Sequence, residues 1–283
     1  MQAVHGQSSP ELEVVLVGAG NMGQALLAGL LRAGWSAPRL GIVEPDVGRC
    51  AALQAQYPGL QVAHDPASAA DRLVARAQVV VLAVKPQILE GVARPLAPVV
   101  TATQPLVISV AAGVTTARLA AWLGTSARII RAMPNTPALI GAGITGLFAG
   151  SGVSPEDCSR AERILRSVGQ VIWLDDEEKM HAVTAVSGSG PAYLFYFMEA
   201  MQSAGVSLGL DAQTAQRLTL ATIEGAARLA ASGDLDPAQR RAQVTSPGGT
   251  TEQAIRILQE RSFSTILCEA MEAAARRSRE LGQ

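Results

Sequence analysis

The stretch that most limits how this chain can fold runs from Glu13 to Gly23 and reads E-V-V-L-V-G-A-G-N-M-G. Four apolar β-formers lead straight into a glycine-rich bend, and an alanine- and leucine-rich helix is predicted from Met22 to Ala33. A G-x-G-x-x-G spacing carries meaning only in this order of strand, tight turn and helix. Gly18 lets the chain turn sharply, Gly20 leaves no side chain where a pyrophosphate approaches, and Gly23 lets the helix pack closely on the sheet. The amides that open the helix, around Asn21 and Met22, point at the phosphates and form an anion site. A bound dinucleotide is therefore expected; the alternative is a plain strand–turn–helix without a ligand.

At 283 residues the chain has room for one large domain or two ordinary ones. Charged residues make up 17% and the hydrophobic class 48%, which excludes global disorder. A formal charge of -1 with no long basic run argues against nucleic acid as a main partner. Cys50, Cys158 and Cys268 are odd in number and widely spaced, pointing to a reducing, cytoplasmic setting without a disulfide framework. With His5, His64 and His181 equally scattered, no metal-ligand spacing arises. The first eleven residues are polar and lack the apolar core of a secretory signal. The uncharged stretch from Ala132 to Pro155 is broken by prolines and glycines and reads as buried loop and strand, not as a membrane span.

Along the first half, Leu40 to Val43 is a second strand with Glu44 at its end. A carboxylate there accepts both ribose hydroxyls of an adenosine and repels a 2′-phosphate; the alternative is a solvated residue before the turn Pro45-Asp46. Arg39 and Arg49 are the nearest basic residues, and no motif fixes either. Val47–Gln56 reads as a helix, Gln61–Ala63 as a strand and Pro66–Arg76 as a helix. The apolar run Gln78 to Val84 has the signature of a strand covered on both faces. It ends A-V-K-P, so Lys85 falls in a loop at the carboxyl edge of the sheet, where ligands bind. Ala83, Val84, Lys85 and Pro86 are placed against the cofactor, and Lys85 either touches substrate or is a solvated cap. Leu89–Leu96 is read as helical, and Leu106–Val110 as a strand leading into A-A-G-V-T-T. Thr115 or Thr116 there caps a helix reaching Leu123. Ala127–Ala132 is a further strand before M-P-N-T-P, where Asn135, held near Pro134 and Pro137, is a rigid ligand donor or a structural corner. Gly143–Gly150 is predicted as an edge strand, Pro155–Val168 as a helix, and Gln170–Leu174 closes the unit.

From Asp175 strand-like runs disappear. Helices are predicted over roughly Glu177–Ser187, Pro191–Ala204, Asp211–Ser232 and Thr250–Glu280, with Asp211 as an N-cap. The two long helices have more apolar surface than so short a domain can cover, which implies a subunit interface; a compact monomeric bundle is the alternative. Two glycine-rich breaks interrupt them, A-V-S-G-S-G-P-A-Y (Ala185 to Tyr193) and Q-V-T-S-P-G-G-T-T (Gln243 to Thr251). In the second, the amides of Gly248, Gly249, Thr250 and Thr251 open the last helix, a nest suited to a small carboxylate.

A dinucleotide-binding half and a carboxylate nest imply hydride transfer to a small acid. No Ser–His–Asp or Cys–His set is legible, and His181 is as readily a core or surface histidine as a general acid. That shortage fits an imine acceptor, which solvent protonates and hydride neutralises, so that orientation and a hydrogen bond to nitrogen suffice.

The segments V-G-A-G-N-M-G, A-V-K-P-Q, S-V-A-A-G-V, R-A-M-P-N-T-P, H-A-V-T-A-V-S-G-S-G-P-A-Y and V-T-S-P-G-G-T-T together resemble pyrroline-5-carboxylate reductase over nearly the whole chain after residue 11. The resemblance implies reduction of 1-pyrroline-5-carboxylate to L-proline by NADPH or NADH. It implies an α/β fold, with a Rossmann-type dinucleotide-binding domain over 1–174 followed by an all-helical substrate-binding and dimerisation domain over 175–283. Homodimers through that domain, and in some members rings of dimers, belong to the same implication. Thr251 matches the threonine that bonds the ring nitrogen, and the main chain of Ser246, Pro247, Gly248, Gly249 and Thr250 matches the cradle of the substrate carboxylate. Gly188, Ser189, Gly190 and Pro191 match residues near the substrate at the dimer interface. Lys85 and Asn135 match segments near nicotinamide and substrate, and Ala111, Ala112 and Gly113 are assigned to the cofactor. Asp234 lies where some members carry an acidic residue near the imine. Glu44-Pro45 departs from relatives with Ser, Thr, Asn or Arg there, which points to NADH preference or a weakened NADPH preference. Competing readings are a reductase of another small imino or keto acid, and a dinucleotide-binding scaffold or sensor without turnover.

Overall fold

A computed structural model describes residues 12–282; the expected polar terminus, with His5, lies outside them. The chain order is β1 (Leu12–Val17), α1 (Asn21–Arg32), β2 (Leu40–Val43), α2 (Val47–Gln56), β3 (Gln61–Ala63), α3 (Pro66–Arg72), β4 (Ala77–Leu82), α4 (Pro86–Thr103), β5 (Leu106–Ser109), α5 (Thr116–Leu123), β6 (Arg128–Met133), β7 (Gly143–Ala149), α6 (Pro155–Arg166) and β8 (Gly169–Trp173). All-helical chain follows: α7 (Lys179–Val183), α8 (Gly190–Ser207), α9 (Ala212–Ala231), α10 (Pro237–Gln243), α11 (Thr250–Glu260) and α12 (Phe263–Leu281).

The eight strands form one sheet in the order β3-β2-β1-β4-β5-β6-β7-β8. The first six run parallel; β7 is antiparallel to β6, and β8 is parallel to β7. Strand order reverses between β1 and β4, the crevice where such sheets bind ligands. The central strands carry apolar residues at successive positions because both faces are covered. One apolar layer joins Leu89, Ala93 and Leu96 of α4 and Leu119 of α5 to Val15 and Val80; the other joins Leu26, Leu27 and Leu30 of α1 and Ile164 of α6 to Leu16 and Val81.

Three expectations are corrected. The Gly143 strand is internal, because Gly169–Trp173 pairs along its outer side. The helix expected over Leu89–Leu96 runs from Pro86 to Thr103 and passes through Pro95 and Pro98, since Leu96, Val99 and Val100 bury its continuation. The helix expected over Thr250–Glu280 is two helices. Ser262 takes a left-handed φ of 56° and receives no glycine or proline to announce the break. The stretch after Ser232, to which sequence assigned no element, contains α10, opened by a capping box between Asp236 and Gln239.

The chain divides into two compact units, one holding the described residues to Ser189 together with Ala274 onward, the other Gly190–Ala273. Residues 175–189, assigned by sequence to the helical domain, thus pack with the sheet. Specific bonds explain this: Glu177 accepts from Thr116 N at 2.7 Å and Thr116 Oγ1 at 2.8 Å, and Arg131 Nη1 lies 3.3 Å from it. The other unit has little interior. α8 and α11 bury no residue, and Leu194, Phe195 and Tyr196 stand exposed side by side.

Candidate active site

The glycine bend is built between the ends of β2 and β4. Gly18 N donates to Val43 O at 2.8 Å, and Ala83 N donates to Val17 O at 2.8 Å. Gly18 has φ 103°, and a Cβ there would lie 2.8 Å from Ala83 O. A Cβ on Gly23 would fall 2.0 Å from Gly18 O, so α1 sits directly on the bend. Gly20 differs: an added Cβ meets nothing within 4 Å. Its lack of a side chain serves no packing need of the chain, which is what a cradle for a ligand backbone looks like. Gly20 also caps α1 without a side-chain bond, and the first turn holds no acidic residue, leaving the positive helix end for an anion. The bend fits a dinucleotide pyrophosphate on these grounds. Asn21 is exposed beside it and Met22 half-buried.

Glu44 is not the solvated residue that one reading of the sequence allowed. It is 5% exposed, and its carboxylate accepts from Ala19 N at 2.8 Å and Asp46 N at 3.1 Å. Arg49, which sequence could not place, pairs with it at 3.0 Å, while Arg39 is engaged with Glu13. Ala83 and Val84 continue from β4 against the bend. Lys85 is exposed at the cap position of α4, with Pro86 opening that helix. Ala111, Ala112 and Gly113 follow β5 along the same carboxyl edge, and Thr115 caps α5 by accepting from Arg118 N.

Asn135 is 9% exposed, and its Oδ1 accepts from Ile144 N at 3.0 Å. The carbonyl thus fixes the corner into β7, and the amide nitrogen can meet a ligand as a donor. His181 is 3% exposed, with Nδ1 2.9 Å from Ser278 Oγ. Burial first, and then the Arg131 charge, pushes it below the ordinary imidazole value. This is the core histidine of the two readings. Gly188 ends a single π-turn over Thr184–Gly188 between α7 and α8, where sequence suggested a break, and Ser189 N donates to Thr184 O at 2.8 Å. Such turns recur at functional sites.

In the helical unit, Gly190 and Pro191 open α8, and Ser246 to Thr251 open α11. Gly248 has φ 72°, and Gly249 caps α11 with backbone alone while its N donates to Ser246 O at 3.0 Å. Thr250 is exposed and Thr251 half-buried. Sequence missed Glu252, whose Oε2 accepts from Gly248 N at 2.8 Å. The signal was present: an acid at the third helical position reaching back to the turn. One amide of this turn, Gly248 N, therefore meets a carboxylate of its own helix, while Gly249 N is bonded within the turn. Among the described residues no cluster of His, Cys, Asp or Glu could hold a metal, and no helix is long and apolar enough to cross a membrane.

A doubly wound sheet with a glycine cradle, joined to a helical unit, defines a Rossmann-type NAD(P)-dependent oxidoreductase. Residues 177–281 match the family model described as pyrroline-5-carboxylate reductase dimerisation, and residues 13–113 match the one described as NADP oxidoreductase coenzyme F420-dependent. The chain is 45% identical over 270 residues to the pyrroline-5-carboxylate reductase of Pseudomonas aeruginosa, covering 95% of this chain and 97% of that protein. It is similar to the solved structure of a pyrroline-5-carboxylate reductase from Coxiella burnetii, at a TM-score of 0.87 and 40% identity, covering 97% of this chain and 100% of that one. The Plasmodium falciparum pyrroline carboxylate reductase with NADP bound gives a TM-score of 0.85 at 28% identity, covering 96% and 98%. The chain belongs to the pyrroline-5-carboxylate reductase family.

Proposed function

We propose that this protein reduces 1-pyrroline-5-carboxylate to L-proline with NAD(P)H, the last step of proline biosynthesis. The carrying observation is 45% identity to a pyrroline-5-carboxylate reductase over 95% of this chain; the S-P-G-G-T-T turn that opens α11, where Gly248 N already meets the Glu252 carboxylate, supports the reading. When bound, the dinucleotide supplies the hydride. Gly20 leaves room for its pyrophosphate on the bend that Gly18 and Gly23 allow α1 to close, and Ala83 to Pro86 and Ala111 to Gly113 line the same sheet edge. The Ser246–Thr250 backbone takes the carboxylate of the imino acid in place of Glu252. The Thr251 hydroxyl bonds the ring nitrogen and fixes which face of C5 is presented. The nitrogen enters protonated from solvent and leaves as a neutral amine once C5 has gained hydride, so the chain need hold no strong acid.

Glu44 supports use of NADH or of both cofactors. Two amides and Arg49 hold its carboxylate, so it stays to meet a ribose diol, while Arg49 offsets part of its repulsion for a 2′-phosphate. The exposed Leu194, Phe195 and Tyr196 and the dimerisation-family match support a homodimer through the helical unit. The free thiols Cys50, Cys158 and Cys268 suit a reducing cytoplasm.

Oxidation of NADH and NADPH is to be followed with five-membered, six-membered and open-chain imino and keto acids. Turnover fastest with the five-membered imine is expected. Preference for another acceptor would replace the substrate, and cofactor binding without turnover on any of them would reduce the protein to a sensor.

A further inference from the structure

The loop after β5 is held by parts of the chain remote in sequence. Its first residue still belongs to the sheet, since Val110 N donates to Leu82 O at 3.1 Å. Beyond it, Gly113 at φ 84° meets the end of α12 backbone to backbone. A Cβ on Gly113 would lie 2.5 Å from Ser278 O, and one on Gly282 would lie 2.2 Å from Gly113 O. Neither position accepts any residue but glycine without moving main chain. Arg118 Nη1 donates to Gly282 O at 2.6 Å, and its guanidinium lies over the Trp122 ring, 5.3 Å from the centroid, which limits where it can reach. The His181–Ser278 bond of 2.9 Å ties the same turn of α12 to α7.

We infer that the turn Ser278–Gly282 is a positioning device for the cofactor loop, setting the height at which Ala111–Gly113 stands above the sheet edge. The inference rests on the proposed role of that loop in holding the dinucleotide. Gly282 and Arg118 touch neither cofactor nor substrate in this scheme. They act through Gly113, as a backstop that stops the loop from sinking away from the crevice. A backbone stop suits this task because it has no rotamers, so the loop height is set to a fraction of an ångström.

The test measures dissociation constants for NADH and NADPH, KM for cofactor and imine, kcat and melting temperature in Gly282→Val, Arg118→Ala and Arg118→Lys, with Gly20→Val as control. Gly282→Val should weaken cofactor binding about tenfold or more, the scale of one lost well-placed contact, while KM for the imine stays within about twofold. Arg118→Ala should move the same constants in the same direction, and Arg118→Lys, which keeps a donor for Gly282 O, should restore most of the loss. If Gly282→Val fails to fold, the Arg118 pair decides alone. Cofactor constants unchanged in the folded variants, or imine and cofactor constants rising together, would overturn the positioning role. If Gly20→Val itself leaves dinucleotide binding intact, it is the cofactor reading that fails instead.

Discussion

The amide of Ala19, in the middle of the glycine bend, donates 2.8 Å to the carboxylate of Glu44, 25 residues later at the end of β2. One residue thereby shapes the glycine bend and, in the proposed cofactor mode, faces the ribose. Glu44→Gln keeps an oxygen for that amide and removes the charge. We expect kcat/KM for NADPH relative to NADH to rise about tenfold, roughly one removed like-charge contact, with Arg49 released to a 2′-phosphate. An unchanged ratio in a native protein that already prefers NADPH would end the Glu44 argument.

Gly20 and Gly23 separate binding from packing. Gly20→Ala adds a methyl group where the chain has open space, so its melting temperature should match the native while dinucleotide affinity drops. Gly23→Ala drives a Cβ to 2.0 Å from Gly18 O and should cost about 1–3 kcal/mol of stability, as overpacking does. Thermal melts with and without NADPH distinguish the two, and equal melts for both variants would contradict the geometry.

Thr251→Ala should lower kcat/KM for the imine by roughly 10² to 10³, the scale of one oriented donor in a closed site. Cofactor affinity should barely move. Steady-state kinetics with native-like turnover would remove Thr251 from the mechanism.

Glu252 stands on an amide that the proposed substrate carboxylate also needs. Glu252→Gln should therefore lower KM for the imine several-fold at low salt, with a smaller effect at high salt, at a cost of about 0.5–1 kcal/mol in helix capping. A raised KM would show instead that the carboxylate assists binding.

His181 makes acid stability a measurable consequence of burial. Its folded pKa lies below the unfolded value of about 6.5, because burial and Arg131 disfavour the charged ring. The unfolded chain thus binds the proton more readily. The associated stability is complete above the unfolded value and is lost as pH falls from there towards the folded one. Denaturant titrations between pH 7.5 and 5 (an experimental range spanning that value) should show a slope that His181→Asn flattens. An identical slope in the variant would assign the loss to other groups.

What was legible in the sequence was what is local. The strand before Gly18, the cap at Asp211 and the bend itself depend on neighbours within a few residues, and chain order alone positions them. The fate of Pro95 and Pro98 was not legible, because burial on one helix face outweighs a penalty that propensity alone would treat as decisive. Nor was the break at Ser262, where a residue without glycine's freedom adopts a left-handed φ. At the site, Glu44 was nameable but its hold on Ala19 was not, and the meeting of Gly113 with Gly282 leaves no side-chain trace at all. Backbone contacts between distant residues write nothing into sequence except the absence of a Cβ.

The bare flank of α8, with Leu194, Phe195 and Tyr196 open to water, has a consequence for inheritance of damage. In the proposed homodimer each copy covers its apolar face with its partner and shares that partner's defects. In a cell expressing sound and faulty versions together, the share of such dimers with at least one poor partner would exceed the share of faulty chains, so output would fall further than that share.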